Sequence, residues 1–87
     1  MGLFGNRRRE VIPQAAQAWI GDTAIAFGAR DGDVAELAVH GDQVEYHVVR
    51  APLRQVVRAG PFDVRVTGFG YEGGREVVRV TVSPRRG

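Results

Sequence analysis

The sequence has no cysteine and no lysine, a single serine at Ser83, and a single tryptophan at Trp19. The shortages of cysteine and serine each remove a class of function. Without cysteine there is no disulfide to staple the fold and no thiolate to hold a metal. Ser83 stands before Pro84 at the end of an alternating run, with no nucleophile elbow and no implied base. No apolar run approaches the ~18 residues that a membrane-crossing helix needs. The stretch after Arg9 carries Pro13, Gln14 and Gln17, a poor signal-peptide core. Position 6 is Asn6, so Gly2 lacks the partner of a myristoylation signal. A chain of 87 residues makes one domain with a small core, leaving little room for a catalytic cleft. The expectation is a non-enzymatic protein with no cofactor, no small-molecule substrate and no membrane contact.

Arginine supplies all 12 basic side chains against 10 carboxylates, a formal net charge of +2. The charge is unevenly placed. Residues 21–47 hold six acids against Arg30, a net −5. Residues 48–84 hold six arginines against Asp63, Glu72 and Glu76, a net +3, and the two ends hold five arginines against Glu10, a net +4. Opposite patches on one small chain suit head-to-tail association of copies. Solvated outer strand faces account for the same charges without any partner.

Residues 1–10 read as a flexible basic arm, 11–84 as one β domain, and 85–87 as a basic tail. Residues 12–20 predict a short helix. Pro13 suits a first turn, alanine and glutamine favour helix, and Ile12, Ala16, Trp19 and Ile20 share a face by three-and-four spacing. From residue 23 the period becomes two, with turn signals at Asp31-Gly32, His40-Gly41-Asp42, Gly60-Pro61 and the glycine-rich stretch 68–74. The fold expected is all-β, an antiparallel barrel or sandwich of about six strands with one short N-terminal helix. Its core would take Trp19, Ile20, Ile25, Phe27, Leu37, Val44, Tyr46, Val48, Phe62, Val64, Val66, Val78 and Val80. No internal repeat and no low-complexity tract is evident.

Three groups of residues invite a chemical reading. Gly68-Phe69-Gly70-Tyr71-Glu72-Gly73 matches G-x-G-x-x-G, but a strand pattern follows it where a dinucleotide site needs a helix, so a hairpin loop explains it better. Within it, Gly68-Phe69-Gly70-Tyr71 is similar to the core of the RNA-binding signature of RRM and cold-shock sheets. Phe69 and Tyr71, with Arg65 and Arg79, would then form a base-stacking platform in an OB-like or cold-shock-like module for single-stranded nucleic acid. Thr67 replaces the leading basic residue, and Glu72-Gly73-Gly74 replaces the aromatic tail. His40 and His47 lack any standard metal-ligand spacing and read as surface histidines. Arg7, Arg8 and Arg9, like Arg85 and Arg86, would contact a partner or phosphates; a solubilising tail, or an arm folded onto a partner subunit, fits the first three equally.

The leader from Met1 to Val11, hydrophobic and then basic, and the closing strand Val77 to Val82 followed by Arg85-Arg86, resemble small head–tail connector proteins of the stopper type from tailed phages of actinobacteria. The resemblance covers both ends and the 62–82 hairpin. It implies a ring of identical subunits joining the capsid portal to the tail around DNA, or a related capsid or tail component. The partners implied are copies of the chain, neighbouring virion proteins and, non-specifically, DNA; the place implied is a virion assembled in the bacterial cytoplasm.

Overall fold

A computed structural model describes residues 7–85. Eight strands follow one another: β1 (Arg8–Pro13), β2 (Gln17–Ile20), β3 (Thr23–Asp31), β4 (Val34–Gly41), β5 (Val44–Pro52), β6 (Val56–Ala59), β7 (Phe62–Glu72) and β8 (Arg75–Pro84). They form two four-stranded antiparallel sheets, β1-β8-β7-β6 and β2-β3-β4-β5, facing each other as a sandwich. The fold is all-β, with eight strands where about six were expected and no helix among the described residues. Among the described residues there is therefore no helix long and apolar enough to cross a membrane.

The expected helix over 12–20 is instead the end of β1, a crossing, and β2. Nine residues are too few to stabilise a helix alone, and two backbone ladders were available. Ile12 pairs with Val78 in one sheet and Ile20 with Thr23 in the other, both isoleucines buried. Between them the chain steps across the sandwich. The Gln14 amide donates to the Glu76 carbonyl in one sheet at 2.8 Å, and the Ala15 amide to the Phe27 carbonyl in the other at 2.9 Å. Of the arm expected over 1–10, Arg8, Arg9 and Glu10 are instead laddered to β8, and residues 1–6 lie outside the described residues.

The crossing recurs 39 positions later. Leu53 and Arg54 donate to Asp33 and Val66, Pro52 stands where Pro13 does, and Arg54 (φ 69) repeats the left-handed backbone of Ala15 (φ 67). β2 and β6 have equal length, and the bulge after Phe27 recurs after Val66. The chain is thus two equivalent halves, β1–β4 and β5–β8, and each half lends its first strand to the other's sheet. The equivalence reaches the core. Its 14 buried residues fall into seven matched pairs: Ile12 with Ala51, Ile20 with Ala59, Ile25 with Val64, Phe27 with Val66, Ala35 with Val78, Leu37 with Val80, and Val39 with Val82. The β7–β8 hairpin is longer than β3–β4 by two residue pairs, Tyr71 with Glu76 and Glu72 with Arg75. This repeat had no visible sequence trace because, between residues 12–31 and 51–70, only Pro13/Pro52 and Gly21/Gly60 are identical.

Every hairpin closes through two residues. Gly32 takes φ +61 at the first loop position, as a type II′ turn requires, while Gly73 and Gly74 are both left-handed. The stretch 68–74, expected as a loop, is therefore strand as far as Glu72.

Three expected core residues point outward: Trp19, Tyr46 and Val48 are 52%, 68% and 51% exposed. In β5 two phases competed. Arg50 shares parity with Tyr46 and Val48, so burying those two would have buried a guanidinium. The strand turns Val49 and Ala51 inward, and Arg50 outward beside Glu36 and Asp31. Val44 and Phe62 pack on the core from its margin, while Ile20, Ile25, Phe27, Leu37, Val64, Val66, Val78 and Val80 are buried as expected.

Candidate functional site: two outer sheet faces of opposite chemistry

The two outer faces share one framework and differ in every functional side chain. On β2-β3-β4-β5, Trp19, Ala24 and His40 lie in a row across three strands. The indole meets the imidazole edge-on with centroids 5.7 Å apart, and His40 Nε2 donates to Gln17 Oε1 at 3.2 Å. Ala26, Ala38 and Val48 make the next row, and Glu36 with Arg50 the one beyond. Tyr46 stands outward two residues before Val48 on the same strand face. The result is a shallow apolar stripe whose two ends are acidic, with Asp22, Asp42 and Glu45 near one and Asp31 and Asp33 near the other. Over residues 17–52, six acids face two arginines, a net charge of −4.

On β1-β8-β7-β6 five of the equivalent positions are basic, while Asp63 stands where the other sheet has Ala24. Arg58 stands where the other sheet has Trp19, Arg65 where it has Ala26, Arg79 where it has Glu36, and Arg9 where it has Val48. Arg7 occupies the place of Tyr46. Arg9, Thr81, Arg65 and Val56 form one row, and Ser83, Asp63 and Arg58 another. A hollow of about 220 Å³ lies between Arg7, Asp63, Arg65, Thr67, Thr81 and Ser83, so its lining carries one carboxylate beside two guanidinium groups. Neither Arg65, Arg58, Arg9 nor Arg79 forms an ion pair with a described residue. Over residues 7–13 and 56–85, eight arginines face four acids, a net charge of +4. The charge split legible along the chain is therefore a split between sheets, because residues 21–47 supply most of one sheet and the later arginines most of the other.

The expected contact residues divide. Arg7 and Arg9 belong to the basic face, and Arg8 pairs with Glu10 at 3.1 Å. Arg85 lies against the β6–β7 turn, donating to the Gly60 carbonyl at 3.4 Å. Arg86 and Met1–Asn6 lie outside the described residues. Of the stacking platform, Arg65 and Arg79 share the basic face but the aromatics do not. Phe69 pairs with Val78 and turns inward against the core, while Tyr71, 71% exposed, projects from the end of the β7–β8 hairpin. Arg79 lies over Gly70 instead, its Nη1 donating to the Phe69 carbonyl at 3.4 Å.

His47 is on the inward phase of β5, opposite Val39, with Nδ1 2.9 Å from the Glu45 carbonyl, and not on the outer face where it was expected. No group of three or more His, Asp or Glu among the described residues is placed to hold a metal ion. Sequence reasoning missed Trp19, Tyr46 and Val48 as surface residues; the parity of Arg50 was the available signal for the last two. Compared with protein-family models, with curated proteins and with solved structures, the chain matches none.

Proposed function

We propose that this protein is a non-enzymatic structural subunit of a homo-oligomeric phage virion assembly, a head–tail connector or a related capsid or tail component. The observation that carries the reading is the segregation of +4 and −4 onto the two sheets of one small sandwich. Like surfaces repel and unlike surfaces attract, so such a molecule is built to meet copies of itself in a fixed order. Exposed Trp19, Tyr46 and Val48 add apolar surface of the kind that interfaces cover. The family and the position in the virion rest on the resemblance of the leader and the closing strand. Imaging the particle that contains the chain tests the reading. Each copy should bury at least ~1,000 Å² against its neighbours. Clearly smaller contacts, or absence of the chain from the particle, would sink it.

A second reading is a small single-stranded nucleic-acid-binding module. It is favoured by Arg9, Arg58, Arg65 and Arg79 sharing one outer face. With Phe69 turned inward, such binding would rest on phosphate contacts and weaken steeply with salt. Failure of single-stranded DNA to retain the chain at low salt would exclude it.

A further inference from the structure

Resting on the assembly reading, we propose that copies meet face to face. The outer face of β2-β3-β4-β5 on one copy receives the outer face of β1-β8-β7-β6 on the next, and Trp19 and Tyr46 take up arginines of the incoming face. Four observations lead there. The two faces are equivalent surfaces of a duplicated framework, so they agree in strand number and in register over the shared pairs, the β7–β8 hairpin running two residue pairs further. Their chemistry differs at the matched positions, with Arg58, Arg7 and Arg79 standing where the other face has Trp19, Tyr46 and Glu36, and Arg9 and Arg65 where it has Val48 and Ala26. Guanidinium groups are the cations most often found over aromatic faces, and indole is the best of the rings for such cation–π pairs. The acids at both ends of the apolar stripe supply the polar rim that surrounds an interface core.

The alternatives leave more unsatisfied. Joining two basic faces sets +4 against +4, and joining two acidic faces sets −4 against −4. A polyanion would cover the arginines but leave Trp19, Tyr46 and Val48 in water. A second copy covers both faces at once. The molecule measures 37 × 26 × 22 Å, so one broad face is of the size of the ~800 Å² that each partner contributes to a standard interface. Because the faces lie on opposite sides of the sandwich, the contact is heterologous and propagates from copy to copy.

The test uses the full chain and two double variants, all four sites being exposed. R65E/R79E spoils the basic face, and W19A/Y46A spoils the aromatic one. At low ionic strength the unaltered chain should associate as concentration rises to the millimolar range. Each double variant alone should remain a single chain, and the two mixed should form a 1:1 pair, since each keeps one intact face. Sedimentation velocity reads all three, and circular dichroism checks that the variants fold. Trp19, the only tryptophan, gives a readout that needs no variant. On association its quenching by acrylamide should fall by about half or more as an indole 52% exposed loses solvent. Association with unchanged quenching, or a mixture that fails to pair, would overturn the face-to-face contact while leaving an assembly subunit standing. A chain that stays single at every concentration and makes no contacts in the particle would overturn both. Loss of nucleic-acid retention in R65E/R79E with association intact would assign the basic face to a polyanion, and the proposal would fail.

Discussion

Arg30 and Phe69 occupy equivalent positions in the two halves of the chain, and they touch: the guanidinium carbon lies 4.2 Å from the centre of the phenyl ring. The contact crosses from one sheet to the other at the end where the long β7–β8 hairpin overhangs. Arg30 also binds Glu76 Oε2 at 3.0 Å and donates through Nε to the Gly32 carbonyl at 2.7 Å. One guanidinium thus ties two hairpin ends together, and it explains why Phe69 is not available to stack on a base.

This contact should show as coupling. Arg30→Ala removes a cation–π contact and a half-buried ion pair, at an expected cost of about 1–2 kcal/mol. In a double-mutant cycle with Phe69→Leu, measured by urea unfolding, the coupling should be about 0.5–1 kcal/mol. Strict additivity would mean that the ring and the guanidinium do not meet in solution.

The phase of β5 can be checked with one substitution on each side. Val49→Asp places a carboxylate against the core and should unfold the protein or cost ~3 kcal/mol or more. Val48→Asp points into solvent and should change stability by about 0.5 kcal/mol or less. Thermal melts of the two variants in parallel decide it, and the reverse order would show that Tyr46 and Val48 face inward.

Two glycines should respond oppositely to the same change. A Cβ at Gly41 would collide with the Asp22 carbonyl oxygen, whereas one at Gly68 meets nothing within 4 Å. Gly41→Ala should cost about 1–3 kcal/mol because backbone must move, while Gly68→Ala should be neutral or mildly stabilising by about 0.5 kcal/mol. Chemical denaturation midpoints with unchanged slopes would carry the comparison.

The duplicated plan makes the β4–β5 turn dispensable. β8 pairs with β1 just as β4 pairs with β5, but the chain does not join β8 to β1. A circular permutant that links Arg85 to Arg7 through a short glycine-rich turn and opens between Asp42 and Gln43 should therefore fold cooperatively to the same sandwich. Two-dimensional amide spectra of the permutant, largely superposable on those of the natural order away from the new ends, are the expected result. A molten spectrum would mean that the Asp42-Gln43 turn is needed to set the register.

The alternation from residue 23 onward, the turn glycines and the lack of long apolar runs were enough to determine an all-β fold, most hairpin positions and much of the core. The uneven charge was also plain in the sequence, since it needs only counting. Tertiary structure decided the rest, for reasons local pattern does not carry. Residues 12–20 satisfied a helical spacing and a strand spacing alike; only the availability of β8 and β3 as ladder partners made them strands. The parity of β5 was settled by which side could hold Arg50 in water. The duplication is invisible to residue identity because a core pair such as Ile12 with Ala51, or Phe27 with Val66, need only fill volume jointly across the sandwich. Each partner was free to change as long as the others filled the space. Whether a charged run is one face or several depends on which strands pair, and strand order is a property of the folded chain.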